Sequence, residues 1–194
     1  MEYSDIVQLI DTDPVVQTLL ELPLAMRLAY LGLDGHPRAV PITIVWDGKA
    51  FVFATPASTY KVKAIAANPK VGFTLDIGPG RTAAEARARV TAALGPPIAH
   101  YVPMGIVGRG TASIEIEQGL SQVHIDASRR MINDDKTWQA WARSESEHQT
   151  EMAVISIIPT YVRVHDFINR FPPPAKMNAL AYLGDKSPSE NSAG

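Results

Sequence analysis

The sequence predicts a mainly β fold, built from antiparallel strands with helices at its periphery. Residues 39–46 alternate between two faces with the two-residue period of a strand. Asp47-Gly48 can supply the left-handed backbone of a tight hairpin, and residues 50–55, which are rich in β-forming side chains, return from it. A third strand is predicted over residues 71–77. Tight hairpins join neighbouring antiparallel strands, and this indicates an antiparallel sheet.

A short helix is predicted between the second and third of these strands. Its body is 61–67, and Asn68-Pro69 ends it because proline cannot continue the hydrogen-bond ladder. A helix start leaves unpaired backbone N–H groups and a partial positive charge, which favour an anion. The side chains at this start add hydroxyl donors and ammonium groups, from Ser58, Thr59, Lys61 and Lys63. We therefore expect a phosphate here, with a capped surface helix carrying solvated lysines as the alternative.

Short motifs occur in order along residues 28–77. Two are Asp-Gly turns, one is a Thr-x-Lys loop and one is a strand start, namely Asp34-Gly35, Asp47-Gly48, Thr59-Tyr60-Lys61 and Asn68-Pro69-Lys70-Val71. This run resembles the flavin-binding half of the pyridoxamine 5′-phosphate oxidase-like split-barrel superfamily. That superfamily includes FMN enzymes and relatives that use the deazaflavin coenzyme F420. The resemblance implies an antiparallel six-stranded split β-barrel with peripheral helices.

The resemblance also implies which residues bind the cofactor. Arg38 matches a basic residue that reaches the flavin phosphate in the oxidase, and Thr55 matches a hydroxyl near the flavin. Thr59 and Lys61 match its phosphate-binding Ser and Lys. The expected phosphate-binding group is therefore Arg38, Ser58, Thr59, Lys61 and Lys63, and the residues expected to line the ring are Thr43 and Thr55.

The chain departs from the oxidase at two of these positions. Tyr60 stands where the oxidase has a phosphate-binding Arg, and Thr43 stands where it has a Lys close to the isoalloxazine ring. The spacing of Lys61 and Lys63 is also similar to that of deazaflavin-using relatives. FMN is the expected cofactor, and coenzyme F420 is the alternative.

Two further segments are candidates for the substrate site. Residues 78–104 contain an Ala- and Arg-rich helix over 82–94, which is either a surface helix in a lengthened connection or a lid. A lid would bring His100 and Tyr101 over the flavin. The run from Arg163 to Asp166 resembles the Arg-x-His-Asp stretch with which the oxidase holds its substrate phosphate, which implies a similar role for Arg163 and His165.

Two local patterns complete the sequence-based fold. Residues 4–21 are predicted to form helical turns interrupted at Asp13-Pro14, where the aspartate can cap a second helix that the proline opens. Residues 106–116 are predicted to be a strand, with Gly108 and Gly110 allowing either a close approach at a subunit seam or a bulge.

Length and composition fit one domain. The chain has 194 residues, 46% of them hydrophobic, so we expect a single domain over 1–170 and a Pro-rich, disordered tail over 171–194. Absence of cysteine excludes thiolate metal ligands and cysteine nucleophiles, and no metal site is expected from the scattered histidines. The first residues contain no basic segment and no long apolar run, which predicts a cytoplasmic protein without a membrane span.

The net charge and the motifs restrict the classes of function that we expect for this chain. A net charge of −2 gives no general attraction to nucleic acid. No catalytic side chain is assigned, because a flavin would carry the chemistry. The resemblance implies a homodimer with flavins at the subunit seam, acting on a small molecule by hydride transfer. A non-catalytic flavin- or haem-binding module, serving as a carrier or sensor, is the competing interpretation, and a purely structural dimer is a third.

Overall fold

The computed structural model describes residues 1–77 and 104–166. Residues Met1–Asp76 and Gly105–Val164 form one compact unit. The helix predicted over 82–94 and the predicted tail lie outside the described residues. The prediction of one domain over 1–170 stays a prediction.

The N-terminal residues fold as two consecutive helices, as the sequence predicts. The described helices are α1 (Tyr3–Thr12), α2 (Pro14–Glu21), α3 (Tyr60–Ala67), α4 (Gln122–Met131) and α5 (Asp135–His148). The Asp13 carboxylate accepts hydrogen bonds from the backbone N–H groups of Val15 (2.9 Å) and Val16 (3.3 Å). Asp13 therefore caps α2 and ends α1, while Pro14 occupies a first-turn position that needs no hydrogen-bond donor.

The sheet is antiparallel and has seven strands. These are β1 (Met26–Leu31), β2 (Pro37–Ile42), β3 (Val45–Trp46), β4 (Phe51–Pro56), β5 (Lys70–Asp76), β6 (Met104–Gln118) and β7 (Glu151–Asp166). Their order across the sheet is β2-β1-β5-β6-β7-β4-β3. The predicted number of strands was six, and the extra strand arises because the predicted strand 39–46 divides. Its first part pairs with β1 and its last part pairs with β4.

The division of this strand closes the sheet. β2 and β3 are the two edge strands, yet only Thr43 and Ile44 separate them along the chain. The three Cα–Cα steps from Ile42 to Val45 span at most about 11 Å, far less than the width of a flat seven-stranded sheet. The opposite edges must therefore come together at this point, which curls the sheet into a barrel. The mainly β, split-barrel prediction is confirmed.

Aromatic side chains fill the inside of this barrel. Phe51 on β4 lies 5.0 Å from Phe73 on β5, ring centroid to ring centroid, in an edge-on arrangement, and 4.8 Å from Trp46 on β3. β4 and β5 are separated by two other strands in the sheet, so the Phe51–Phe73 contact crosses the barrel interior. Both rings are at least 95% buried, with 0% and 4% of their surface exposed. Buried aromatic pairs of this geometry add to the free energy of burial itself.

The two Asp-Gly turns form as predicted. Gly35 and Gly48 have φ angles of 79° and 86°, the left-handed region that favours glycine. In the second turn the Asp47 carboxylate accepts hydrogen bonds from the N–H groups of Lys49 (2.8 Å) and Ala50 (2.7 Å). These turns fix the pairing of β1 with β2 and of β3 with β4.

Two glycines on β6 allow a close approach of β7 within the same chain. A Cβ on Gly108 would overlap the ring of Phe73 and lie 2.7 Å from the carbonyl oxygen of Tyr161. A Cβ on Gly110 would overlap the carbonyl oxygen of Ile158. Backbone from β7 thus occupies the space where side chains would stand. Contacts inside one barrel account for both glycines, so neither a subunit seam nor a bulge is needed to explain them.

The helices α4 and α5 follow β6. Val123 of α4 packs against a small buried cluster formed by Ala50, Val52 and Val154. In α5 no residue is buried. The His124 ring of α4 lies 5.4 Å from the ring of Trp141 of α5.

We predict that Gly110→Ala destabilises the fold by about 1–3 kcal/mol, because the added methyl group overlaps main chain that cannot rotate away. Chemical denaturation followed by circular dichroism measures the change. Gly72→Ala in β5 is the matched control, since its Cβ would have only ordinary contacts, the nearest at 3.7 Å. That variant should be as stable as the parent or more stable by up to about 1 kcal/mol. Equal stability of the two variants would contradict the close-approach explanation.

Candidate functional site

The start of α3 is placed by the loop that leaves β4. The N–H of Thr59 donates to the carbonyl of Pro56 (3.1 Å), which forms a turn directly after the strand. Thr59 is extended, with φ −67° and ψ 148°, and is the N-cap of α3. The helix buries Val62, Ala64 and Ile65 and ends at Asn68 before the proline. Prediction of both ends of this helix is confirmed.

The Thr59 hydroxyl does not cap the helix. No side-chain hydrogen bond satisfies the first-turn N–H groups of α3, and no acidic residue lies in that turn. The Thr59 Oγ1 atom is buried and has no hydrogen-bond partner among residues 1–77 and 104–166. A buried hydroxyl left unpaired costs about 1–3 kcal/mol. A ligand atom that accepts this hydroxyl proton would recover that free energy.

Lys61 stands in the first turn of the same helix and is half-buried. Burial lowers the pKa of its ammonium group, because removing water disfavours the charged form. Within the described part of the chain, no carboxylate lies within ion-pair distance of Lys61. An anion placed beside Lys61 would restore the stabilisation that water no longer gives.

Arg38 on β2 reaches the same place from the neighbouring hairpin. Its guanidinium carbon lies 4.6 Å from the centroid of the Tyr60 ring, a cation–π distance. Its NH2 group donates to the carboxylate of Asp34 (2.7 Å). The hydrogen bond to Asp34 raises the pKa of Arg38, and the pKa of Asp34 is lowered first by the backbone N–H of His36 and then by Arg38.

Tyr60 joins the β1–β2 turn to the start of α3. The N–H of Leu33 donates to the Tyr60 hydroxyl (2.8 Å), while the ring carries Arg38 on its face. Gly32 leaves room for this arrangement, since a Cβ there would lie 2.5 Å from Asp34 Oδ1 and 2.6 Å from Arg38 Nε. The structure therefore places Arg38 of the predicted phosphate-binding group against Tyr60, the residue between Thr59 and Lys61. Asp34 and Gly32 were not predicted, and the only local signal for Asp34 is its place in an Asp-Gly turn.

The other predicted cofactor residues lie around this centre. Ser58 is exposed in the turn before α3, and Lys63 is exposed on the helix. Thr55, on β4, is buried with 5% of its surface exposed. Thr43 is half-buried in the link between β2 and β3. No hydrogen bond connects these four side chains to Arg38, Thr59 or Lys61 in the described ranges.

The predicted substrate residues fall in two places. His100 and Tyr101 lie outside the described residues. Arg163 and His165 are near the end of β7, where Arg163 is exposed and His165 is half-buried.

None of the described helices is long and apolar enough to cross a membrane. In the same ranges, no group of three His, Asp or Glu side chains could hold a metal ion.

A family model matches the part of the chain that contains this site. The family model for pyridoxamine 5′-phosphate oxidase matches residues 12–166, which is well over half of the chain and includes every element from α2 to β7. No curated protein matches the sequence significantly.

Solved structures match the fold over most of its length. An F420 reductase is 21% identical, with a TM-score of 0.51, and the match covers 76% of this chain and 94% of that chain. The haem storage protein HutZ from Vibrio cholerae is 11% identical, with a TM-score of 0.51 and coverage of 78% and 93%. General stress protein 26 from Bacillus anthracis is 16% identical, with a TM-score of 0.47 and coverage of 77% and 90%. At these identities the first two matches show the fold alone.

We predict that Thr59→Val leaves the melting temperature of the ligand-free protein unchanged or raises it. The substitution keeps the branched shape and removes a hydroxyl that is buried without a partner. The matched control is Asp134→Ala, which removes a helix cap whose carboxylate accepts the N–H of Thr137 (2.6 Å) and should lower the melting temperature. Differential scanning calorimetry compares them. Destabilisation by Thr59→Val as large as that by Asp134→Ala would show that the Thr59 hydroxyl is a structural group.

Proposed function

Because this chain belongs to the pyridoxamine 5′-phosphate oxidase family, we propose that it is an oxidoreductase dependent on a flavin nucleotide, FMN or the deazaflavin coenzyme F420. The observation that carries the proposal is the pair of unpartnered groups at the start of α3. The Thr59 hydroxyl is buried without a hydrogen bond, and the Lys61 ammonium is half-buried without a carboxylate in the described part of the chain. A phosphate satisfies both at once.

The chemistry of these donors fits a phosphate group. Thr59 would donate its hydroxyl proton, and Lys61 would supply a charge-assisted hydrogen bond. The free N–H groups of the first turn would complete this phosphate-binding site, which we call the cradle. Arg38 would add a guanidinium from the neighbouring hairpin, and Ser58 and Lys63 would stand at the rim. Thr43 and Thr55 would line the ring. Once bound, the flavin would transfer hydride through N5, or a deazaflavin through C5.

The protein's own task in this proposal is binding, orientation and exclusion of water. The phosphate cradle would hold one end of the cofactor, and Thr55 on β4 and Thr43 in the link between β2 and β3 would orient its ring. A small-molecule substrate would then meet the ring, and His100, Tyr101, Arg163 and His165 are the residues proposed to contact it. No side chain needs to act as a general base, because the cofactor carries the reaction.

We predict that wild-type protein binds FMN or coenzyme F420 and that Lys61→Ala weakens this binding by roughly 10- to 150-fold. A charge-assisted hydrogen bond is worth about 1.5–3 kcal/mol, and Lys61 contributes one beside the helix dipole. Titration of each cofactor, followed by its fluorescence, measures the affinity. A nicotinamide donor should then reduce the loaded wild-type protein, and binding without turnover would favour the carrier or sensor.

Lys70→Ala is the matched control for this titration. Lys70 is an exposed lysine that opens β5 just beyond the end of α3, so its loss changes the bulk charge equally but removes no group from the cradle. Equal weakening by both substitutions would mean that a diffuse basic surface, and not the start of α3, attracts the cofactor. Wild-type protein that binds neither cofactor would refute the proposed function.

A homodimer is part of the proposal. The outward face of the sheet carries a row of small side chains across three paired strands, with Ala39 opposite Ala29 and Ala29 opposite Gly72. Ala29 and Ala39 are exposed, and the exposed Leu31 lies beside them on β1. Small side chains at the centre of this face allow the same face of a second copy to approach closely.

We predict a homodimer that Ala29→Arg dissociates, because a large charged side chain would enter the centre of this face. Light scattering at micromolar concentration should give twice the 21.1 kDa mass of one chain for wild-type protein and the single mass for the variant. Ala140→Arg, at an exposed position of α5, is the matched control and should stay dimeric. A monomeric wild-type protein would contradict the prediction, and a dimeric Ala29→Arg variant would place the interface elsewhere.

A further inference from the structure

Of the cationic side chains at the start of α3, one is already paired with a carboxylate and one is not. Arg38 is the second cation of the cradle, and its guanidinium is already paired with the Asp34 carboxylate at 2.7 Å. Together these two side chains contribute no net charge. Lys61 has no such partner in the described ranges, so its charge is uncompensated.

Lys63 adds little to the positive charge that a ligand at Lys61 can use. On a helix, residues two apart point to different sides, so Lys63 at the rim lies farther than Lys61 from the bound ligand. The exposure of Lys63 and the half-burial of Lys61 agree with this geometry. Tyr60, where the oxidase has a phosphate-binding Arg, brings no charge. The cradle therefore offers one full positive charge and the partial charge of the helix start, which is roughly half a unit.

We propose that Asp34 is a specificity-determining residue that tunes this site for a phosphodiester, with one negative charge, over a phosphomonoester, with two. The inference rests on the proposed function, since it concerns the same anion site. FMN carries a phosphomonoester, whose second ionisation has a pKa of about 6, so it is a dianion at neutral pH. Coenzyme F420 carries a phosphodiester, which stays a monoanion. A second negative charge would meet no second free cation in this cradle, because the Arg38 guanidinium is paired with Asp34.

The Asp34–Arg38 ion pair is held in place by its neighbours in and around the β1–β2 turn. Asp34 also accepts the N–H of His36, which fixes its carboxylate within the turn. Gly32 leaves the space that the carboxylate and the Arg38 side chain occupy. On its far side the guanidinium rests on the Tyr60 ring, whose hydroxyl is held by the N–H of Leu33. Asp34 acts through Arg38 and is a positioning residue, because it fixes how much of the Arg38 charge a ligand can use.

The test is the Asp34→Asn variant, whose side-chain oxygen can still accept the N–H of His36 while its charge is removed. Wild-type and variant proteins are titrated with methyl phosphate and with dimethyl phosphate at about pH 8, where the monoester is a dianion. The backbone amides of Thr59, Tyr60 and Lys61 are followed by nuclear magnetic resonance. We expect the preference for methyl phosphate over dimethyl phosphate to rise roughly three- to tenfold in Asp34→Asn, because each added ligand charge gains from the lost repulsion.

Asp47→Asn is the matched control. Asp47 occupies the same place in the other Asp-Gly turn and accepts backbone N–H groups in the same way, but no arginine pairs with it in the described part of the chain. It should leave the ratio of the two affinities unchanged. A merely structural role for Asp34 would weaken both probes equally, and an unchanged ratio in Asp34→Asn would overturn the inference.

Tyr60→Arg supplies a second variant, which adds a cation at the helix start without touching Asp34, and it should raise the same ratio. Repeating the titrations with FMN and coenzyme F420 separates the two proposals. If both cofactors bind and their affinity ratio does not move in either variant, the specificity inference fails and the proposed function stands. If neither cofactor binds while the ratio for the two small phosphates moves as expected, the proposed function fails and the role of Asp34 stands.

Discussion

The link of two residues between β2 and β3 is the constraint on which the rest of the structure depends. These strands are the opposite edges of the sheet, and Thr43 with Ile44 is too short to let them separate. Closure brings β4 and β5 to face each other across the barrel, where Phe51 and Phe73 fill the interior. It also leaves no long free edge at this point, and free edges are where sheets aggregate.

The candidate site depends on this closure through two connections. β4 leads into the turn that starts α3, so the barrel wall sets where the helix begins. The β1–β2 hairpin comes from the same sheet and reaches the helix through Tyr60, which binds Leu33 and carries Arg38. Two elements that are separate in the sequence thus meet at Tyr60, with Arg38 on the strand and Lys61 on the helix.

Local patterns predicted the elements well, because each depended on residues close in sequence. The cap at Asp13, both Asp-Gly turns and both ends of α3 were of this kind. The division of the strand 39–46 could not be predicted, since Val40, Ile42, Ile44 and Trp46 keep one unbroken alternation while the pairing partner changes from β1 to β4. The contact of Arg38 with Tyr60 was missed because it depends on where the hairpin meets α3, which no local pattern records. The pairing of Arg38 with Asp34 is local to one hairpin, and the Asp-Gly turn was interpreted only as a turn.

The energetics of the Asp34–Arg38 pair separate its structural role from its electrostatic one. Both side chains are well exposed, with 41% and 48% of the Arg38 and Asp34 side-chain surfaces accessible, and exposed ion pairs contribute little to folding stability because water screens them. Their charges would still act on a ligand bound at the half-buried ammonium of Lys61, and more strongly at low salt. A carboxylate that matters little for the fold can therefore matter for which anion the fold accepts.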